Sequence, residues 1–260
     1  MEEQDLLLAV IANNYKAVAK HCNDKRMLEA TDYMGFTPLE LARLLNLKEC
    51  LKLLEPNRPE KNFYINGRRI GLAEYEETFK IRYMAYPFFF NYSFLEHVVK
   101  SCPWTLKLGG RSEELNDNYK KFEWEISEAY AAPIEMRWID EKIGWGVFAR
   151  DHIPEGEFII QYTGMVAPIT LEKLSLTPYS MSYFHSNYSF RKYVINSSTA
   201  GNESRFINHS SRTNLEFASA LDRGLIHTFL VTQRNITKGE QLLYDYGNEY
   251  WLFREKPQDL

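Results

Sequence analysis

Glu203–Ser211 reads ESRFINHSS: an Arg, two apolar residues, then Asn208, His209 and Ser210. The apolar pair Phe206–Ile207 has the character of a strand, and two readings of the polar run behind it stand side by side. In the plainer one, Asn and Ser cap a strand end through local turn bonds. In the other, the apolar pair anchors a backbone that presents polar groups to a ligand. Nine residues do not separate the two, so the surrounding sequence has to.

Outward from this stretch, the chain from Ile134 onward is a series of short apolar-alternating runs punctuated by Gly and Pro. EMRWID (135–140), GWGVFAR (144–150), GEFIIQYTG (156–164), KYVINS (192–197), IHTFLVTQ (226–233) and EQLLYDYG (240–247) read as strands and turns. No G-x-G-x-x-G loop, P-loop or strand–helix alternation is present, so a β-rich domain is expected over 131–252, with a tail at 253–260.

The first sixty residues have a helical pattern. Within DYMGFTPLELARLLNLKECLKLL (32–54), Thr37-Pro38-Leu39 opens a helix with a cap and a first-turn proline. A shift of 33 residues lays Leu39, Leu41 and Ala42 on Leu6, Leu8 and Ala9. Residues 1–60 therefore resemble two ankyrin repeats, the first lacking its opening turn, with Glu40 where the repeat usually has His; an ordinary helical hairpin is the alternative. So short an array covers little of its own apolar face and is expected to pack on the adjoining middle region of the chain. Residues 61–130 read as a connecting, mostly helical region: AEYEETFKIRYMAY (73–86) and NYSFLEHVVKSCP (91–103) as helices, GGRSEELNDNYKK (109–121) as a loop. Tyr83, Phe89 and Phe94 are expected in the core.

Bulk properties exclude several classes. The 45% hydrophobic and 25% charged fractions suit a chain that builds a core, and a net charge of −4 gives no reason to expect direct DNA binding. The acidic N-terminus is the wrong sign for a secretory signal, and the aromatic run 86–94 is too short to span a bilayer. Cys22, Cys50 and Cys102 are scattered and odd in number, so neither a disulfide framework nor a metal site is expected. An intracellular protein, nuclear or cytoplasmic, is the resulting expectation.

Three further stretches join the opening one: Gly144-Trp145-Gly146, Tyr162-Thr163-Gly164 and Tyr244-Asp245-Tyr246-Gly247. With R-F-I-N-H-S, and in this order, they resemble the SET domain of protein-lysine methyltransferases, over about 134–251. The resemblance implies an α+β chain, an ankyrin-like helical segment before a β-rich SET domain with a knot-like C-terminal crossing. It also implies transfer of a methyl group from S-adenosylmethionine to a lysine of a histone or another protein. Tyr246 would be the catalytic tyrosine, and Tyr244 would control product state, favouring mono- or dimethylation. Asn208 would bind the cofactor's amino group, His209 its adenine through the backbone, and Arg205 its carboxylate. Gly144, Trp145 and Gly146 would let backbone approach the methionine moiety, with Tyr162, Phe206 and Trp251 completing the cofactor pocket. Phe206 and Ile207 read equally as core, and Trp251 shares the adenine-covering role with Phe253.

Tyr183 and Tyr193 are candidates for the substrate channel; each reads equally well as an ordinary core tyrosine. No Cys follows Cys102, so the zinc segments of many SET proteins are missing. Met165 stands where an acid is frequent, and Asn196 where Asp is common. A non-catalytic module, gripping a protein partner through the ankyrin-like segment, is the alternative function. Ankyrin-like and SET-like segments in one short chain fit a chromatin enzyme or a bacterial effector acting in a host cell.

Overall fold

The computed structural model describes residues 4–109, 112–168, 179–183, 193–251 and 254. In chain order the helices α1 (Asp5–Ile11), α2 (Tyr15–His21), α3 (Lys25–Glu29), α4 (Pro38–Leu44) and α5 (Lys48–Leu54) come first. Next are β1 (Phe63–Ile65), β2 (Arg68–Ile70), α6 (Leu72–Phe79), β3 (Arg82–Tyr83), β4 (Phe88–Phe89), α7 (Tyr92–Gly109) and α8 (Ser112–Ser127). The strands β5 (Ile134–Asp140), β6 (Gly144–Ala149), β7 (Phe158–Gln161), β8 (Met165–Pro168), β9 (Ser180–Ser182) and β10 (Tyr193–Asn196) come after them. The chain closes with β11 (Ala200–Gly201), β12 (Asn208–His209), β13 (Leu215–Asp222), β14 (Leu225–Thr232), β15 (Leu243–Tyr244) and α9 (Asn248–Trp251).

Two compact units result. Met1–Pro59, Phe88–Trp104 and Arg223–Leu225 make the first; Glu60–Pro87, Thr105–Asp222 and Ile226–Leu260 make the second. In the first unit, a shift of 33 residues lays α1 on α4 and α2 on α5 residue for residue. The same shift superposes Asn13 on Asn46, both left-handed at φ 51° and 52°. Local chemistry explains the start of α4: Thr37 and Glu40 form a reciprocal capping box with Pro38 in the first turn. Before it, the Asp32 carboxylate accepts from the amides of Met34 and Phe36, both at 2.9 Å, around Gly35 at φ +88°. Helix α1 packs on α2 and α4, and α2 on α5, burying Leu6, Val10, Val18, Leu41, Ala42 and Cys50 completely. Leu95, Val98 and Cys102 of α7 are equally buried.

The second unit is built of small sheets. Strands β5 and β6 pair antiparallel with Trp138 opposite Trp145, and β1 joins β5 in parallel, Ile65 beside Met136. Strands β1 and β2 are a hairpin turned by Asn66 and Gly67 at φ 48° and 78°, the conformation that Asn-Gly favours. Strands β13, β14 and β7 form a second sheet, and β8, β10 and β9 a third. Helix α8 lies on β13, placing Phe122 and Ile126 against Phe158 and Phe229, with Asn118 donating to the Ser219 carbonyl at 2.8 Å.

Two local readings of the sequence are corrected. Residues 112–121 are not a loop but the first part of α8, whose Leu115, Phe122 and Ile126 recur at helical spacing and are 3–6% exposed. The helix expected over 73–86 stops at Phe79, because Lys80 turns left-handed at φ 52° and Arg82–Tyr83 pairs with β11. The connecting region is thus mostly helical but contributes the β1–β2 hairpin, and with it a sheet edge.

Candidate active site

The opening stretch lies parallel to the C-terminal one. Asn208 and His209 of β12 pair with Leu243 and Tyr244 of β15. Asn214 holds the pairing, accepting from Leu243 N at 2.8 Å and donating to Gln241 O at 2.8 Å. Beyond β15, Tyr246 is fixed at both ends. Its backbone N–H donates to His209 Nδ1 at 3.2 Å, and its hydroxyl donates to the Ile207 carbonyl at 2.9 Å.

Asn208 connects this pair of strands to G-W-G. Its side-chain amide donates to the Trp145 carbonyl at 3.1 Å. A Cβ on Gly146 would stand 3.2 Å from Asn208 Nδ2, 2.9 Å from Gln241 Nε2 and 2.7 Å from Ile139 Cδ1, so glycine leaves these three side-chain ends room that any other residue would make them give up. Gly144 turns at φ +79°. Gln241 Nε2 and Trp251 Nε1 are buried donors without a hydrogen-bond partner. A glycine cradle flanked by uncommitted buried donors fits a polar ligand such as S-adenosylmethionine, with Asn208, His209 and Gln241 the residues able to hold it.

An aromatic wall adjoins the cradle. The Tyr246 ring meets Tyr244 and Tyr250 at 4.7 Å each and lies nearly parallel to Trp251 at 6.0 Å. Trp251 also packs on the His209 ring at 4.8 Å. Phe217 stands edge-on to Tyr244 at 4.7 Å and to Tyr162 at 6.4 Å. Burial pushes the Tyr244 and Tyr246 hydroxyls well above the ordinary phenol range, with neighbouring tyrosines adding to the shift. Burial likewise raises Tyr162 to about 12, and its hydroxyl donates to the Tyr179 carbonyl at 3.1 Å. All three stay protonated at neutral pH.

Other expected residues find different partners. The Arg205 guanidinium lies 4.0 Å over the Tyr179 ring and 5.2 Å from that of Phe206, while its Nε is buried without a hydrogen bond. Phe206 packs against Phe79 at 4.6 Å, partly buried against the core. Tyr183 is 1% exposed and its hydroxyl accepts from Ile226 N at 3.1 Å; Tyr193 is 5% exposed within β10. For both, the core alternative is the one this geometry favours. Asn196 accepts from Ser198 N through its side chain, and Met165 is half-buried on β8. Phe253 lies outside the described residues.

Residues 144–247 match the profile of the SET domain. The second unit carries a SET domain. N-lysine methyltransferase KMT5A-A of Danio rerio is 30% identical over 130 residues, 47% of this chain and 38% of that one. Histone-lysine N-methyltransferase ASHH3 of Arabidopsis thaliana is 36% identical over 109 residues, 41% of this chain and 30% of that one. A chain of the crystal structure of an active polycomb repressive complex 2 in the stimulated state is similar at a TM-score of 0.42 and 23% identity, over 48% of this chain and 16% of that one. This chain spans 30–38% of the length of the curated relatives compared.

Around this SET domain's site, several contributors escaped the sequence reading. Tyr250, in the short helix that follows Tyr246, meets the Tyr246 ring at 4.7 Å. Asn214, Gln241 and Phe217 carry no motif visible to that reading, and Phe79 comes from the region that looked least informative. Among the described residues, no helix is long and apolar enough to cross a membrane, and no group of three or more His, Cys, Asp or Glu is placed to hold a metal ion.

Proposed function

We propose that this protein is an S-adenosylmethionine-dependent protein-lysine N-methyltransferase. The observation that carries the reading is the Asn208–Trp145 bond beside Gly146, which brings the N-H-S and G-W-G segments together next to Tyr246. Bound S-adenosylmethionine supplies an electrophilic methyl group on a positively charged sulfur. The chain's own task is to orient a neutral amine toward it and exclude water. A free lysine has a pKa of about 10.4 and arrives charged. The wall of Tyr244, Tyr246, Tyr250 and Phe217 solvates an ammonium poorly and so favours the neutral amine. Because the Tyr246 hydroxyl donates its hydrogen bond to the Ile207 carbonyl, its oxygen lone pairs remain to accept from the amine and hold it in line. Its raised pKa makes it an orienting group, not a proton acceptor.

The names of the relatives support a histone or another protein lysine as substrate. Tyr244 is proposed to restrict the amine, favouring mono- or dimethylation. The parallel crossing of β12 and β15 supports the knot-like arrangement expected at the C-terminus. The 33-residue repetition of helices and of left-handed asparagines supports reading residues 1–60 as two ankyrin repeats, a surface for a protein partner.

The test is calorimetric titration with S-adenosylmethionine, followed by assay with labelled cofactor over histones and whole-cell lysate. Binding together with labelled protein is the expected outcome. A folded protein that binds no cofactor would refute the proposal.

A further inference from the structure

We propose that Phe79 is a positioning residue for the cofactor site, wedging the G-W-G strand and the R-F-I-N-H-S segment into register. This inference rests on the reading of the site as a cofactor pocket, and it assigns a role to a residue outside the SET match. The Phe79 ring touches both halves of the site at once. It meets Trp145 edge-on at 5.1 Å and Phe206 at 4.6 Å. Trp138 backs Trp145 from the opposite strand at 5.6 Å. The four rings form a ladder from β5, through β6 and the end of α6, to the turn at Glu203–Phe206.

That ladder runs beside the one polar link described between the same segments, from Asn208 Nδ2 to Trp145 O. A single hydrogen bond fixes a distance but leaves the angle between two short segments soft. A planar ring in contact with both supplies the missing constraint: it stands edge-on to Trp145, a directional contact, and packs tilted at 44° against Phe206. Phe79 is well placed to be rigid. Tyr75, one turn earlier in α6, is fully buried and stacks on Phe63 at 4.0 Å. Glu76 accepts from Tyr83 N at 2.8 Å, tying the helix to β3, which in turn pairs with β11 just before the turn. Helix α6 ends directly after Phe79 at left-handed Lys80, which sets the direction of the last side chain. Residues 60–87 are thus a brace for the cofactor segments, and Phe79 is its point of contact.

The brace predicts a binding defect separable from loss of stability. Affinity for S-adenosylhomocysteine is to be measured by calorimetry on the full chain, beside thermal unfolding. Phe79→Ala is expected to bind about ten-fold more weakly, with KM for S-adenosylmethionine raised more than kcat is lowered. Phe79→Leu, which keeps volume and loses the ring, should show a smaller loss of about three-fold and serves if the alanine variant does not fold. Phe79→Tyr keeps the ring and should bind within about two-fold of wild type. Phe122→Leu disturbs a separate core cluster, against Phe158 and Phe229, outside the brace; it should lower the melting temperature while leaving affinity within about two-fold. Folded Phe79 variants that bind like wild type would overturn the inference, as would a Phe122→Leu loss equal to theirs. Wild type binding no cofactor would instead refute the proposed function, and the inference with it.

Discussion

Replacing Tyr246 by Phe removes one oxygen with two separate duties, and the structure gives a magnitude for each. The hydroxyl donates to the carbonyl of Ile207, a residue only 1% exposed. Losing that bond and leaving a buried carbonyl unpaired costs about 1–3 kcal/mol. In a chain of this size that corresponds to a fall in melting temperature of roughly 2–10 °C. On the proposed function the same oxygen orients the amine, and removal of one such preorganised group lowers turnover about 10²–10³-fold. Cofactor affinity should change little, since the Asn208–Trp145 link and the Gly146 cradle remain. Tyr244→Phe is the matched control. Its ring contacts with Phe217 and Tyr246 survive, so stability should hold to within about 0.5 kcal/mol. Activity should persist, with product shifted toward di- or trimethyl-lysine if Tyr244 restrains the amine as proposed. Thermal unfolding, calorimetry and mass spectrometry of one peptide substrate read all three quantities. Tyr246→Phe with wild-type turnover, or both variants losing activity equally with no change of product, would refute the reasoning.

Asn208→Ala breaks the link to Trp145 and should weaken cofactor binding at least about ten-fold in a protein that still folds, as calorimetry and circular dichroism would show. Glu240 offers a pH test. Burial alone would raise its carboxyl, but hydrogen bonds from Arg234, Asn214 and the Thr237 amide outweigh burial and hold it at about 2. A depressed carboxylate contributes stability above its unfolded pKa of about 4.3 and loses it as pH falls toward 2. The gap in urea midpoint between wild type and Glu240→Gln should therefore be open at pH 6 and shrink progressively below about pH 4.3. Removing residues 1–59 would uncover Leu95, Val98 and Cys102 of α7, which belong to the same compact unit. The shortened chain should aggregate or melt earlier in light scattering and thermal unfolding; equal stability would show the helices to be an independent appendage.

The sequence by itself determined the features that depend on local chemistry. Thr37-Pro38 followed by Glu40 dictates a capped helix wherever it stands, because its hydrogen bonds close within four residues. Alternating runs such as EMRWID and GWGVFAR become strands for the same reason of period, and the order of G-W-G, R-F-I-N-H-S and L-Y-D-Y-G was enough to point to the SET domain. The tertiary structure decided everything that needed a partner distant in sequence. GGRSEELNDNYKK is polar enough to read as a loop, yet Leu115, Phe122 and Ile126 make residues 112–121 part of a helix once an apolar surface exists for Phe122 and Ile126 to meet. Tyr183 and Tyr244 are the same residue type, the first directly after a short strand and the second at the end of one. The amide of Ile226 claims the hydroxyl of the first, while the ring of Tyr246 meets the second. Asn208 and Phe79 were set apart by different ignorance: the first stood in a motif with an unknown partner, the second in a helix with an unknown target. Only the folded chain brings both to Trp145, since contact across long sequence separations comes from packing and leaves no period to read.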